Sequence, residues 1–243
     1  FEQVSLIDQG PVSGEVMLTP VQHSFFDQPI PARHHWNQSL LLVTGEVLEP
    51  VRLEAALARL IQHHDALRLR FVQQADGWQQ SHAAYVSEPL LWQCQASTDA
   101  ELAALCDEAQ RSLDLAQGPL LRAVLMSMAD GGQRVLLVIH HLVVDGVSWR
   151  ILLEDLQQAY REQALPAKTS AYQHWAQQLH SHAQTLDEQL PYWQAQCIDA
   201  ELPCDHPEGG LQNRLGAKLE TRLDAEQTRR LLQDAPAAYR TQV

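Results

Sequence analysis

The sequence predicts an α/β fold, a two-layer sandwich of the α+β kind in which a mixed sheet is covered by helices. Three stretches carry that prediction. Residues 135–139 are an unbroken apolar run of strand length, the pattern of a strand buried on both faces. A turn and an amphipathic helix follow at once: Asp145-Gly146, then Trp149, Leu152, Leu153, Leu156 and Tyr160 at helical spacing. Upstream, residues 52–64 place Leu53, Leu57, Leu60, Ile61 and His64 on one helical face, and the period then switches to two over 65–71.

The remaining elements follow in chain order. Residues 1–19 are turn-rich, with Gly10-Pro11 and Gly14, and Pro20 then opens a short helix carrying Gln22, Phe25 and Phe26 as core packing. Residues 34–43 form a strand with a polar start, His34-His35-Trp36-Asn37-Gln38-Ser39. After the 52–64 helix and the 65–71 strand, residues 78–86 supply the second strand of a hairpin. Thr98 and Glu101 make a capping box for a helix whose buried stripe is Leu102, Leu105, Ala109 and Leu113, stopped at Gly118-Pro119. Residues 120–128, a turn at 129–132 and residues 134–139 make a hairpin whose second strand ends in His140 and His141. Gly146 is expected to supply an unusual backbone angle at the turn, and Ser148 to cap a helix over 149–162 that covers the sheet. Past Pro166, Tyr172, Trp175 and Leu179, then Leu186, Leu190 and Trp193, recur at helical spacing. Leu215, Ala217, Leu219, Thr221 and Leu223 alternate with polar residues as a half-buried strand, and Asp224 with Gln227 caps a last helix holding Leu231 and Leu232.

Composition narrows the function classes. A net charge of -13 gives no basic stripe for nucleic acid. No apolar run approaches the roughly 20 residues that span a bilayer, and no secretion leader opens the chain. Cys94, Cys106, Cys197 and Cys204 lack C-x-x-C spacing, so free thiols in a cytoplasmic protein are expected. Cys197, Cys204 and His206 fit no zinc module, and no metal site is expected. Nucleotide-loop, nucleophile-elbow and H-E-x-x-H patterns are missing as well.

Chemistry concentrates at the end of the buried strand. Side chains alternate, so His141 shares a face with Val135, Leu137 and Ile139, and His140 shares the other with Leu136 and Val138. One imidazole can therefore do chemistry while its neighbour is a buried scaffold residue satisfied by hydrogen bonds. A neutral imidazole suits proton abstraction near pH 7.

His140-His141-Leu142-Val143-Val144-Asp145-Gly146, followed by Val147-Ser148-Trp149-Arg150, resembles the signature of condensation and epimerization domains of nonribosomal peptide synthetases, whose fold is that of chloramphenicol acetyltransferase. Three further segments are similar to motifs of that superfamily in the same order: Leu18-Thr19-Pro20-Val21-Gln22 with Phe25-Phe26, His34 to Ser39, and His64-Asp65-Ala66-Leu67-Arg68, whose Arg68 is a scaffold residue. Ser148-Trp149-Arg150 and the Asn37-Gln38-Ser39 segment look more like an epimerization domain than a condensation domain.

That resemblance implies a chloramphenicol acetyltransferase-like lobe over residues 1–180, then a linker and the opening elements of a second, similar lobe over 181–243. It also implies L-to-D inversion at the Cα of an aminoacyl or peptidyl residue held as a carrier-protein thioester. His141 would be the catalytic base. His140, Asp145, Gly146, Ser148 and Trp149 would support it, with Gly146, Ser148 and the helix start placing amide donors near the substrate carbonyl. Asn37 and Gln38 are candidates to line a tunnel. No cofactor is expected on the chain itself, since the phosphopantetheine arm comes with a partner peptidyl carrier protein; neighbouring synthetase modules are further partners. The resemblance places a second acid or base, a glutamate, beyond Val243, so the chain alone is expected not to racemise substrate. Condensation by the same histidine, acyl transfer from coenzyme A and an inactive carrier-docking module are the rival readings.

Overall fold

Two hydrophobic periods sort this chain into two sheets and the helices that cover them. The computed structural model describes residues 7–85, 89–197, 205–210 and 215–241. Its contacts define two compact units, Phe1–Pro191 and Tyr192–Val243. The elements are β1 (Gly14–Val16), α1 (Pro20–Asp27), β2 (Asn37–Val43), α2 (Pro50–His63), β3 (Leu69–Gln74), β4 (Gly77–His82), β5 (Leu91–Ala96), α3 (Asp99–Arg111), β6 (Leu121–Met128), β7 (Gln133–His140), α4 (Gly146–Tyr160), α5 (Tyr172–Ala183), α6 (Leu190–Gln196), α7 (Ala225–Arg229) and α8 (Ala235–Tyr239).

The larger sheet of the first unit runs β2-β7-β6-β5. It is mixed, as expected: β5 pairs parallel to β6, while β6–β7 and β2–β7 are antiparallel. One face carries Leu121, Ala123, Leu125, Val135, Leu137 and Ile139 against Leu53, Leu57, Leu60 and Ile61 of α2 and Trp149, Leu152 and Leu156 of α4. The other carries Val124, Met126, Leu136 and Val138 against Ala109 of α3 and Leu113. With both faces covered, β7 has no solvent side, which is why its apolar run is unbroken.

A smaller antiparallel sheet, β1-β4-β3, supports a second core in which Val16, Leu69 and Phe71 meet Phe25 and Phe26 of α1 and Ala176 of α5. Helix α1 opens at Pro20 as expected, and the Thr19 N–H just before it donates to the Gln22 carboxamide oxygen at 3.0 Å. Residues 65–68, expected within a strand, form a 3-10 turn because their side chains build a buried ion network instead. Arg68, 3% exposed, pairs with Asp65, which also accepts from Lys168 Nζ at 3.0 Å and from the Val12 N–H at 3.2 Å. Burial alone would raise the Asp65 carboxyl, but the Arg68, Lys168 and Val12 hydrogen bonds outweigh it and hold the group below the usual carboxylate range.

Other expectations need correction. Helix α4 begins at Gly146, not at 149, and its cap is Asp145 rather than Ser148. Gly146 does not take a positive φ; it is the first helical residue, and a Cβ there would meet nothing within 4 Å. The expected face of α5 is also shifted. Trp175 is 56% exposed, and the small Ala176 is the buried residue that lets the helix approach β1. The last part of the 78–86 strand, Val86, lies outside the described residues.

The second unit, Tyr192–Val243, holds α7 and α8. Residues 215–224 form no strand, and Leu219 is 95% exposed. Alternation alone cannot make a strand; its backbone groups need a neighbouring ladder, and none pairs with it among the described residues. The Asp224–Gln227 capping box forms as expected and opens α7, with Leu231 and Leu232 in the π-helical turn before α8. No helix among the described residues is long and apolar enough to cross a membrane.

Candidate active site

The end of β7 separates the two histidines as alternation requires. In the β2–β7 register Asn37 lies opposite His140 and Gln38 opposite Ile139. The ladder continues one residue further, since the His141 N–H donates to the Trp36 carbonyl at 2.8 Å.

His140 turns inward and is fully buried. The Leu142 N–H donates to its Nδ1 at 3.2 Å, so the ring proton sits on Nε2, which donates to the Arg33 carbonyl at 2.7 Å. Both nitrogens are satisfied in the neutral form, and burial pushes the group down to about 4. Phe25 packs edge-on against the ring at a centroid distance of 6.1 Å. This is a scaffold residue.

His141 turns outward and is exposed. Its Nδ1 lies 2.8 Å from the Val144 carbonyl, which can only accept, so Nδ1 carries the proton and Nε2 keeps a lone pair. That lone pair faces the Gln38 carboxamide nitrogen at 3.2 Å. The orientation of the carboxamide is fixed independently: the Trp149 indole N–H, a donor only, reaches the Gln38 oxygen at 2.8 Å. Trp149, Gln38, His141 and Val144 thus form one directional chain of hydrogen bonds from α4 through β2 to the strand end and back to the turn. Trp149 itself is 8% exposed and anchored in the α4 core.

Asp145 is not part of a triad with His141. One of its carboxylate oxygens accepts from the Ser148 N–H at 2.7 Å and from the Ser148 hydroxyl at 2.6 Å. The Ser148 side-chain and backbone hydrogen bonds hold the Asp145 carboxyl below the usual range, with His141 adding a smaller effect. A carboxylate at a helix N-terminus also meets the positive end of the dipole. Both Ser148 donors are therefore engaged, which corrects the expectation that Ser148 offers an amide to substrate. Gly146 leaves open space beside the helix start.

Gln38 stands beside His141, but Asn37 does not face the same side. Its carboxamide nitrogen donates to the Gln110 carbonyl at the end of α3 at 2.8 Å, so Asn37 ties sheet to helix rather than lining a tunnel. A further cluster escapes the sequence reading. His63, His64 and Asp155 bring ligand atoms within 4.8 Å of one another, close enough to hold a metal ion. His64 Nε2 and Asp155 already hydrogen-bond at 2.7 Å, linking the end of α2 to α4. Only the tertiary contact between those helices could have revealed it. Of the earlier zinc candidates, Cys204 lies outside the described residues and Cys197 is a free thiol.

Known proteins resemble this chain along nearly its whole length. The family model described as the condensation domain matches residues 12–243. A linear gramicidin synthase of Brevibacillus parabrevis is 43% identical over 254 residues, an alignment that takes in 97% of this chain and 5% of that protein. Surfactin synthase subunit 1 of Bacillus subtilis (strain 168) is 38% identical over 253 residues, covering 97% of this chain and 7% of the relative. The chain thus spans a small part of these synthases. Among solved structures, the epimerization domain from the third module of tyrocidine synthetase B superposes with a TM-score of 0.85 at 34% identity, over 97% of this chain and 57% of that one. The condensation domain of the Monacolin K polyketide synthase MokA shares the fold, with a TM-score of 0.73 at 16% identity over 96% of this chain and 57% of that one.

Proposed function

The chain belongs to the condensation-domain family, and from that premise we propose that it forms part of an epimerization site, one that inverts the Cα of an aminoacyl or peptidyl residue held as a phosphopantetheinyl thioester on a carrier protein. The observation that carries this reading is the state of His141: an exposed imidazole with Nδ1 protonated against Val144 and a lone pair on Nε2. In the forward step the Cα proton passes to Nε2 and the electron pair of the C–H bond moves onto the thioester oxygen as an enolate. A proton then returns to Cα from the opposite face. The acid for that return belongs to the same proposal, as a glutamate outside these 243 residues; 57% coverage of the solved epimerization domain leaves room for it.

Two observations favour epimerization over peptide-bond formation. The solved epimerization domain of tyrocidine synthetase B is similar at 34% identity. Of the two segments that look more like an epimerization domain, Asn37-Gln38-Ser39 and Ser148-Trp149-Arg150, one supplies Gln38 beside the imidazole and the other the Trp149 indole that hydrogen-bonds Gln38. Condensation is the second reading, supported by the family model itself; the same lone pair would then assist an amine attacking the thioester. The chain brings no cofactor of its own in either case, and the phosphopantetheine arm arrives with the carrier. Neighbouring synthetase modules are partners in the same reading. A cytoplasmic setting is part of it too, supported by the free thiols of Cys94, Cys106 and Cys197.

The test uses a synthetase module that carries this chain, loaded with an aminoacyl or peptidyl thioester in deuterated water. Deuterium at Cα, read by mass spectrometry and abolished in His141→Ala, is the expected outcome. A peptide bond formed without Cα exchange would overturn epimerization in favour of condensation. Cα exchange at the parent rate in His141→Ala would overturn His141 as the base, and a parent module with neither exchange nor a new peptide bond would leave only a docking role.

A further inference from the structure

We propose that Gln38 is a second catalytic residue of this site, the donor that stabilises the enolate oxygen, with Trp149 as the residue that positions it. The inference rests on the epimerization reading and deepens it.

An enolate needs hydrogen-bond donors aimed at its oxygen, and at the start of α4 the two donors of Ser148 are already engaged. Both the N–H and the hydroxyl of Ser148 are bound to Asp145 at 2.7 and 2.6 Å. The Gln38 carboxamide stands instead 3.2 Å from the basic Nε2 of His141. In a thioester the Cα and the carbonyl oxygen are bonded to one carbon, and bonds of about 1.5 and 1.2 Å put them only about 2.4 Å apart. A substrate whose Cα–H is aimed at Nε2 therefore brings its oxygen within reach of the same carboxamide.

The donor is also oriented in advance. Trp149 holds the Gln38 oxygen at 2.8 Å, which turns the NH2 toward the imidazole. A flipped carboxamide would set its NH2 against the indole N–H and its oxygen against the Nε2 lone pair, two like-with-like contacts. The first is the costlier, because the Gln38–Trp149 contact is partly buried. Trp149 is in turn fixed by its place in the α4 core, so the donor is preorganised before substrate arrives.

The proton transfer then couples the two residues. Before it, a Gln38 N–H rests on the Nε2 lone pair. During it, the Cα proton takes that lone pair, Nε2 becomes an N–H, and Gln38 loses its acceptor. The same step places negative charge on the thioester oxygen. The acceptor that vanishes is replaced by a stronger one, so the interaction is greater in the transition state than in the ground state, which is the requirement for raising kcat. No atom or electron is left over: the C–H bond breaks, the N–H bond forms, and the pair resides on oxygen.

The test follows Cα deuterium exchange in the synthetase module with Gln38→Leu, Gln38→Glu and Trp149→Phe. Loss of one preorganised oxyanion donor predicts a fall in kcat of about 100- to 1000-fold for Gln38→Leu with little change in KM. Gln38→Glu, which has no donor, should fall at least as far, and Trp149→Phe less. Nitrogen-15 NMR of His141 should show the same Nδ1–H tautomer in Gln38→Leu, because Val144 still accepts. Should the Leu variant not fold, Gln38→Met removes the donor with a flexible side chain of similar length. Exchange at the parent rate in the folded variant overturns this inference alone. A reversed tautomer also overturns it, because Gln38 would then act only through His141. An unsubstituted module that makes a peptide bond without Cα exchange overturns the epimerization reading and this inference together.

Discussion

Acidifying the protein from pH 7.5 to 4.5 should destabilise it through His140, by an amount the structure sets. The ring is fully buried, its Nδ1 accepts from Leu142 and its Nε2 donates to Arg33, an arrangement that only the neutral form can make. Burial pushes the folded-state value to about 4, from 6.5 for an unperturbed histidine. Between those two values the unfolded chain binds a proton that the folded chain does not. Stability therefore rises with pH across this window and is lost as pH falls from 6.5 toward 4. The difference of roughly 2.5 units, at about 1.36 kcal/mol per unit, gives an upper bound of about 3 kcal/mol, of which about 2 kcal/mol is already lost at pH 5. That is a thirty-fold change, approximately, in the folded-to-unfolded ratio.

Urea unfolding at a series of pH values measures the loss, with His140→Gln as the reference. The variant shares the other titrating groups, including His82, which burial also lowers, so the difference between the two proteins isolates residue 140. The gap in unfolding free energy should shrink as pH falls from 7 to 4.5. A gap that stays constant, or an NMR titration of the His140 ring near 6.5 in the folded protein, would refute the assignment of 140 as the neutral scaffold histidine.

Four further outcomes follow from the same contacts. Asp65→Asn leaves Arg68 and Lys168 buried without their carboxylate and should lower stability by about 3–5 kcal/mol, seen as an earlier urea midpoint. Asp145→Ala removes the α4 cap at a cost of about 1 kcal/mol in thermal or urea unfolding, and Asp145→Asn should recover most of it. Phe71→Ala empties a fully buried site and should cost about 3–5 kcal/mol by urea unfolding. Leu219→Ser, at a residue 95% exposed, should stay within about 0.5 kcal/mol of the parent in the same assay.

The larger sheet was legible because its signals are local and redundant. The run at 135–139 demands two covered faces, and the helices that cover them announce themselves by their stripes at 53–61, 102–113 and 149–156. Where the reading failed, a tertiary contact had overridden a local pattern. Residues 65–68 have a strand's alternation but fold as a 3-10 turn around a buried ion network whose Lys168 lies 103 residues away. Ser148 is a good capping residue by type, yet Asp145, three residues earlier, holds both Ser148 donors and starts the helix sooner. Residues 215–223 alternate as a strand should, but alternation describes only which side a residue would take if a neighbouring strand were present.

At the site itself the same limit explains what the motif hid. Strand alternation was enough to separate His140 from His141, because a period of two leaves no other arrangement at a strand end. It also separates Asn37 from Gln38, which the sequence reading kept together as tunnel candidates. Asn37 goes to Gln110 and Gln38 to His141, and the β2–β7 register makes that split unavoidable. What alternation cannot supply is the partner on α4. Trp149 lies 111 residues from Gln38 in sequence, and its indole N–H decides which end of the carboxamide the histidine meets. The pairing of an indole donor with a carboxamide thus joins the packing of α4 to the imidazole of His141.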